Sequence, residues 1–187
     1  DLTVVTDYEL GEKRVEWVFA HMPVMQRLRA DFARELPFEG LTVAICLHLE
    51  PKTANLGLTI KAGGATVVMC PSNPLSTQDE VAAALAHRYD AQVYAVHGED
   101  HAAYARHIDA VCDIAPQITL DDGADVIGAL HGPRKELLAG GDFDRVHVGK
   151  DAAHLGQERH PPGRQIIGAA QQPFGADVIS RISATML

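Results

Sequence analysis

The stretch LTVAICLHLEPKTANL, residues 41–56, decides the fold that the sequence predicts. Its first seven residues are nearly all apolar and Gly40 precedes them, which is typical of a strand buried on both faces. The polar residues His48, Glu50 and Lys52 come next, and a helical pattern begins at Thr53. Because open α/β sheets bind ligands where strands end and helices begin, this stretch predicts both a central strand and the start of a site.

The composition indicates a globular protein of one main domain. The chain has 187 residues, of which 47% are hydrophobic and 22% are charged. Its formal net charge of -9 argues against a nucleic-acid or anionic-membrane surface, because no basic stripe is present to neutralise phosphates. No apolar run approaches the ~20 residues that a membrane span needs. Since the chain begins at Asp1 without a methionine, we expect that an upstream piece is missing.

The cysteines and histidines give no sign of a metal or disulfide framework. Cys46, Cys70 and Cys112 each lie in an apolar stretch and form no CxxC motif, which predicts buried, reduced thiols in a cytoplasmic protein. The ten histidines are scattered without paired Cys/His spacing, so we expect no zinc site.

The order of patterns along the chain predicts the fold class. Residues 9–35 have a helical apolar stripe, and Pro23 predicts a kink or a fresh helix start at Met22–Pro23. Strands are then predicted at 42–47, 65–70, 92–96, 117–120 and 145–148, with helices at 53–62, 77–88, 100–112 and 125–138 between them. This alternation predicts an α/β domain with a doubly wound parallel sheet of about five strands, Rossmann-like or flavodoxin-like, behind an N-terminal helical segment.

The chain changes character after about Gly140. Residues 149–175 are rich in Gly, Gln, His and Pro and have no clear periodicity, which is typical of a loop or an extended tail. We therefore expect one domain over residues 1–148 and a divergent tail over 149–187.

Polar clusters follow the predicted strands and should meet at one edge of the sheet. They are His48, Glu50, Lys52 and Thr53; Ser72, Asn73 and 76–79; 97–100; and Asp121, Asp122, Gly123 and Asp125. Each cluster also has a structural interpretation. Ser76 is a good cap for the following helix, Glu99–Asp100 for the next one, and 121–123 suits a turn. His48 is able simply to bond a backbone carbonyl. The pair Gly63–Gly64 lacks the GxGxxG spacing of a dinucleotide site.

Five motifs together resemble the substrate-binding domain of the S-adenosylhomocysteine hydrolase family. They are HMPVMQRLR, CLHLEPKTANL, SNPLSTQDEVAAAL, HGED and ITLDDGADVIGALH, and they span about residues 17–138. The run STQD followed by DDGAD, with CLH upstream, is specific to that family.

The resemblance implies a hydrolase that uses NAD to oxidise the nucleoside 3′-hydroxyl, so that the neighbouring 4′ proton becomes acidic and homocysteine is eliminated. It implies catalytic roles for His48, near the 5′ side, and for Asp122, near the ribose hydroxyls. Substrate contacts are implied for Glu50, Lys52, Thr53, Ser76, Gln78 and Asp122. The implied partner is a nucleoside thioether, and full-length members form homo-oligomers.

Two positions depart from the common form of the family. Glu50 replaces a threonine that faces the ribose, and Lys52 replaces a glutamate that faces the base. A lysine only donates hydrogen bonds, so it suits the 6-keto oxygen of hypoxanthine better than the 6-amino group of adenine. The HLExKTA variant resembles a branch for which S-inosylhomocysteine is the expected substrate. The alternative is that Glu50 and Lys52 pair with each other and the base is adenine.

A second departure concerns the NAD site. The EETTTG stretch of the family, and the Rossmann domain with its glycine fingerprint, do not follow Leu138 in this sequence. We therefore expect a truncated or rearranged form without its own NAD site, which alone is inactive. Two alternatives stay open. One is a non-catalytic nucleoside-binding or interaction module that kept the fold, and the other is a flavodoxin-like domain without a ligand.

Overall fold

The computed structural model describes residues 7–139, 146–148 and 165–166 of the chain. Its elements alternate as the sequence predicts. In order they are α1 (Tyr8–Ala20), α2 (Pro23–Glu35), β1 (Thr42–Cys46), α3 (Pro51–Ala62), β2 (Thr66–Cys70), α4 (Asp79–Arg88), β3 (Gln92–Val93), α5 (His101–Asp113), β4 (Ile118–Asp121), α6 (Asp125–His131), α7 (Glu136–Ala139), β5 (Val146–Val148) and β6 (Gln165–Ile166).

The strands form one sheet in the order β3-β2-β1-β4-β5-β6, and every described pairing is parallel. The predicted doubly wound parallel sheet is confirmed, with six strands where about five were expected. The sixth, β6, lies in the region predicted as a loop. The strand order reverses between β1 and β4, which is the Rossmann arrangement and places the switch point beside the central strand.

Helices cover both faces of the sheet. We call the side covered by α1 to α4 the first face, and the side covered by α5 and α6 the second face. Val43 and Ile45 of β1 point to the first face, where they pack with Phe32, Ile60, Leu85 and their neighbours. Ala44 and Cys46 point to the second face and pack with Val111, Val126 and Leu130. This alternation is why the strands read as continuous apolar runs.

Pro23 begins a new helix, as predicted. It occupies the first helical position of α2, where its missing N–H costs no hydrogen bond. The first helix packs closely on α4, because a Cβ added at Gly11 would lie 1.8 Å from the carbonyl oxygen of Glu80. Glycine is therefore required at this crossing.

Several predicted boundaries need correction, among them the start of α3, which is Pro51 rather than residue 53. The helix predicted over 125–138 is divided into α6 and α7, because Gly132 and Pro133 interrupt it. The third strand is shorter than 92–96, and α4 begins at Asp79 rather than residue 77. The predicted domain boundary at 148/149 lies outside the described residues. Within the described ranges, no helix combines the length and apolar character needed to cross a membrane.

Candidate active site

The register of three strands brings the predicted site residues to one edge. Cys46, the last residue of β1, lies opposite Cys70 of β2 and Asp121 of β4. The residues that follow these three therefore leave the sheet side by side. This edge lies at the switch point, where the sequence placed its candidates.

His48 and Asp122 lie beside each other at this edge. The Nε2 atom of His48 is 3.8 Å from Oδ2 of Asp122, and their side chains are 59% and 30% exposed. The backbone N–H of Asp122 donates to the carbonyl of Cys46 at 3.1 Å, which fixes the start of the turn. The distance exceeds that of a direct hydrogen bond. The pair is suited to hold or transfer one proton at a bound ligand.

A short parallel bridge joins the loop after β1 to the loop after β2. Leu49 pairs with Thr77, the Leu49 N–H donates to the Ser76 carbonyl at 2.8 Å, and the Gln78 N–H donates to the Leu49 carbonyl at 2.9 Å. The bridge places Ser76 and Gln78 directly beside the residues 48–50. Residues that lie about thirty positions apart in sequence thus form one surface.

Ser76 does not cap the following helix, contrary to one sequence interpretation. Its hydroxyl donates to the carbonyl of Asn73 at 2.9 Å and accepts from the Asn73 N–H at 3.3 Å. Gln78 occupies the N-cap position of α4 without a side-chain capping bond, and its side chain stays exposed. Ser76 therefore closes a turn, whereas the exposed Gln78 side-chain amide makes no hydrogen bond to another described residue at this edge.

Glu50 and Lys52 do not pair with each other. Glu50 is the N-cap of α3 and accepts from the Thr53 N–H at 3.3 Å. This contact satisfies one of the free amides at the helix start and places a negative charge at its positive end. Lys52, in the first turn, is exposed, and in the part of the chain that the structure describes it has no ion-pair partner.

The buried carboxylate of Asp121 stabilises the turn after β4 by a hydrogen bond to the start of α6. This residue is 1% exposed, and its Oδ2 accepts from the Ile127 N–H at 3.0 Å. Burial raises the pKa of Asp121, and the helix amide opposes that rise. Ala124 has a φ of 63°, in the left-handed region. A Cβ at Gly123 would lie 2.7 Å from Oδ2 of Asp125, so a larger residue there requires the Asp125 side chain to shift.

A second contact supports the same turn from α5. The Tyr104 hydroxyl donates to Oδ2 of Asp125 at 3.0 Å. Burial first, and then the neighbouring Cys46 and Asp125, raise the pKa of Tyr104, so it remains a neutral donor. This contact was not predictable from the sequence, because Tyr104 lies in an ordinary amphipathic helix.

The third cluster is largely structural, as one sequence interpretation proposed. Asp100 caps α5 by accepting from the Ala103 N–H at 2.7 Å. The Glu99 side chain, only 2% exposed, turns inward instead, and its Oε2 lies 2.5 Å from Nδ1 of His107. Burial raises the pKa of Glu99 to about 7, and burial lowers the pKa of His107. Sequence reasoning missed this pair, although its spacing of eight residues is two helical turns.

His97 connects the third cluster to the second. Its backbone N–H donates to Oδ1 of Asp79 at 2.8 Å, and its ring Nδ1 lies 3.0 Å from the carbonyl oxygen of Thr77. Because a carbonyl only accepts, the Nδ1 atom carries the proton in this arrangement. The loops after β2 and β3 are thereby fixed together at the site edge.

Comparisons with known proteins agree on one family. A family model described as S-adenosyl-L-homocysteine hydrolase matches residues 2–151, a wider range than the 17–138 expected from the motifs. The S-inosyl-L-homocysteine hydrolase of Methanothermobacter thermautotrophicus is 52% identical over 130 residues, which are 70% of this chain and 31% of that protein.

Two further relatives carry the name adenosylhomocysteinase. The protein of Pyrococcus abyssi is 50% identical over 128 residues, covering 68% of this chain and 30% of its own length. That of Thermosynechococcus vestitus is 45% identical over 130 residues, covering 70% of this chain and 30% of its own length. The matched region thus spans about a third of the length of these relatives.

Proposed function

The chain belongs to the S-adenosyl-L-homocysteine hydrolase family, and from that premise we propose that it binds the nucleoside part of a homocysteine thioether. The ligand lies across the carboxyl ends of β1, β2 and β4. We propose further that hypoxanthine, the base of inosine, is preferred over adenine. Hydrolysis of the thioether to nucleoside and homocysteine is the activity we propose for the whole protein.

One observation carries the choice of base: the carboxylate of Glu50 is turned to the start of α3, and Lys52 is left without an ion-pair partner among the described residues. The alternative, in which the two residues neutralise each other, would remove the lysine as a reader of the base. A free ammonium group donates three hydrogen bonds and accepts none. It therefore favours a 6-keto oxygen and disfavours a 6-amino group.

The names of the relatives do not decide between the bases, since both kinds of hydrolase match at similar identity. The argument for inosine thus rests on Lys52. We propose that Gln78 contacts the base from the opposite loop, which is supported by the Leu49–Thr77 bridge that brings it beside the residues 48–50. The Ser76 hydroxyl donates its hydrogen to the Asn73 carbonyl, so in this proposal it meets the ligand only as an acceptor. Thr53 lies one residue beyond Lys52, where its hydroxyl is able to reach the same ligand.

His48 and Asp122 supply the proton chemistry in this proposal. Their separation of 3.8 Å leaves room for a ligand hydroxyl to hydrogen-bond to both. We assign Asp122 to the ribose hydroxyls and His48 to the 5′ side, where the leaving sulfur needs a proton. Both side chains are partly exposed at the edge and are therefore accessible to a ligand.

An NAD site does not fit the described residues. The connection from β1 to α3, where a Rossmann fold places its glycine-rich loop, consists of 47–50 and contains no glycine. Gly63 and Gly64 connect a helix to a strand instead, so their amides do not open a helix towards a phosphate. NAD supplies the oxidation in this family. We propose that the residues described here serve the nucleoside, and that any NAD is held by another part of the protein.

We also propose a cytoplasmic location. The three cysteines, Cys46, Cys70 and Cys112, are free and buried, and free thiols are typical of reducing compartments.

The test is calorimetric titration of the purified chain with inosine, adenosine and their homocysteine thioethers. We expect inosine to bind more tightly than adenosine, and Lys52→Glu to weaken inosine binding about 10-fold, the cost of one charge-assisted hydrogen bond. Lys135→Glu is the matched control, because Lys135 is an exposed lysine in the connection between α6 and α7, away from the site edge. It has the same charge change and should leave both affinities unaltered.

Two other outcomes refute parts of the proposal. Adenosine binding that survives Lys52→Glu, with no preference for inosine, refutes the choice of base and leaves nucleoside binding in place. Failure of all four ligands to bind at millimolar concentration refutes the nucleoside site itself.

A further inference from the structure

Asn55 is a buried amide placed one helical turn after Lys52. Its side chain is 0% exposed, and its Nδ2 donates to two carbonyl oxygens, those of Val15 in α1 and of Pro51 in α3, each at 2.9 Å. The amide thus ties the first turn of α3 to the neighbouring helix. Every hydrogen of this amide is used, so the side chain has a single well-defined orientation.

Arg29 of α2 holds Asn55 from the other side. Its Nη2 donates to both the backbone carbonyl and the side-chain Oδ1 of Asn55 at 2.9 Å, and its Nε donates to the Thr59 hydroxyl at 3.1 Å. The guanidinium also lies 3.8 Å from the centroid of the Phe19 ring. We call Arg29, Asn55 and Thr59 the α3 clamp.

The α3 clamp holds a half-buried cation, the Arg29 guanidinium. In the residues that the structure describes, no acidic side chain lies within ion-pair distance of Arg29. Burial lowers its pKa to about 10, so the group stays charged at neutral pH. A half-buried charge without a counter-ion is costly, and carbonyl and hydroxyl acceptors offset that cost only if they are held in place.

The motif HMPVMQRLR, which the proposed function does not use, builds this arrangement. Pro23 starts α2, and Gln26 donates through Nε2 to the carbonyl of Phe19 at 2.7 Å, which fixes the corner between α1 and α2. The corner presents the Phe19 ring to the guanidinium of Arg29. The motif therefore ends on the residue that reaches α3.

We propose that Arg29 and Asn55 are positioning residues, which fix the first turn of α3 so that Lys52 projects towards the base without touching the ligand themselves. This inference rests on the proposed role of Lys52 in reading the base. A helix start is otherwise the least constrained part of a helix, because its first amides lack intrahelical partners. The α3 clamp gives this helix start three contacts to α1 and α2.

The first test does not depend on a ligand. In Arg29→Met, we expect the amide of Ala54, which bonds the Glu50 carbonyl at 2.9 Å, to exchange with solvent about 10-fold faster. The amide of Gly63, at the far end of α3, should be little changed. Arg34→Met is the matched control on the same helix, since among the described residues the Arg34 guanidinium pairs with Asp31 and Glu35 and not with α3. Equal acceleration along the whole of α3, or none, overturns the proposal.

The second test is a double-mutant cycle between Arg29→Met and Lys52→Met, with inosine as the ligand. We expect Arg29→Met to weaken inosine binding about 10-fold in the presence of Lys52 and less than about 2-fold in its absence. A purely structural role would give the same loss in both backgrounds, and that result overturns the proposal. If Arg29→Met does not fold, Arg29→Lys replaces it. This variant keeps the positive charge but loses the planar guanidinium that bonds Asn55 and Thr59 at once, and the same two measurements apply.

The failure of this inference is distinguishable from the failure of the proposed function. If the unaltered chain binds no nucleoside, the proposed function fails, and with it the link from the α3 clamp to the base. If inosine binding depends on Lys52 but the cycle shows no coupling, the proposed function stands and the positioning role is wrong.

Discussion

The two faces of the sheet are held together by different chemistry. On the first face, helices α1 to α4 meet through apolar packing, a glycine crossing at Gly11 and the neutral amide of Asn55. On the second face, α5 and α6 pack over Cys46, Cys70 and Asp121, with the Glu99–His107 pair beside them. The first face holds a cation, Arg29, that stays charged at neutral pH, whereas the second face holds an acid, Glu99, whose pKa burial raises to about 7.

The difference separates what each face does for the site. The first face positions α3, whose start carries Glu50 and Lys52. The second face positions the turn that carries Asp122, through Asp121 and through the contact of Tyr104 with Asp125. We therefore expect shape changes to damage the first face at any pH, and proton changes to act on the second.

The largest effect is expected for Gly11→Ala on the first face. The added Cβ would lie 1.8 Å from the Glu80 carbonyl oxygen, so α1 must move away from α4. We expect a loss of about 3 kcal/mol in the free energy of unfolding, measured by urea denaturation. Gly128→Ala in α6 is the control, because nothing lies within 4 Å of its added Cβ. There the helix should gain up to about 1 kcal/mol. Equal effects of the two substitutions would contradict a close crossing at Gly11.

The next effect is a pH dependence that belongs to Glu99 and His107. Burial raises the pKa of Glu99 from 4.5 to about 7 and lowers that of His107 from 6.5. Between pH 4.5 and about 7 the folded carboxyl of Glu99 keeps a proton that the unfolded one loses, so this group makes stability fall as pH rises. Burial opposes the proton that His107 gains below pH 6.5 in the unfolded chain, so this group makes stability fall as pH drops, and the two effects oppose each other in the unaltered chain.

Single substitutions of Glu99 and His107 should give opposite dependences of stability on pH. In His107→Asn, only Glu99 remains, and its raised pKa makes stability fall as pH rises from 4.5 towards 7. In Glu99→Gln, only His107 remains, and its lowered pKa makes stability fall as pH drops below 6.5. The measurement is the thermal midpoint of each variant across this range. Parallel profiles for both variants and the unaltered chain would show that the pair is not the source.

The smallest effect is expected for Tyr104→Phe. It removes the hydroxyl that donates to Asp125 at 3.0 Å and leaves the ring packing in place, so we expect a loss of about 1 kcal/mol. Tyr94→Phe is the control in the same apolar cluster, since its hydroxyl has no hydrogen bond to another described residue. Its effect on the midpoint of urea denaturation should be close to zero. A greater loss from Tyr94→Phe than from Tyr104→Phe would show that the Asp125 contact contributes nothing.

Much of the fold follows from local rules. Continuous apolar runs predicted the buried strands, and Pro23 predicted the division between α1 and α2. The meeting of His48 with Asp122 followed from the strand ends, because β1 and β4 are neighbours at the switch point. Gly132 and Pro133 were also sufficient to predict the break between α6 and α7. The break was missed because the apolar residues on both sides follow a helical periodicity.

The direction of individual side chains was beyond the sequence. The amino-acid sequence does not distinguish a Glu50 that caps α3 from a Glu50 that pairs with Lys52. The glutamate side chain is long enough to reach either the Thr53 N–H or the Lys52 ammonium group. Arg29 and Arg34 look alike in sequence, yet one enters the α3 clamp and the other stays at the surface. Such choices depend on what the neighbouring helices leave exposed. They are decided by tertiary packing rather than by local propensity.

The alignment of Cys46 with Cys70 has a consequence for the timing of motion in this domain. Both thiols are at most 1% exposed, and Cys112 on α5 is equally enclosed. The contact with the neighbouring Cys70 thiol, and then burial, raise the pKa of Cys46, and burial raises that of Cys112 to about 11, so neither presents a reactive thiolate at neutral pH. A thiol reagent reaches these cysteines only when the helices of the second face transiently separate from the sheet. The rate at which the three thiols are labelled therefore measures how often the second face of the domain opens.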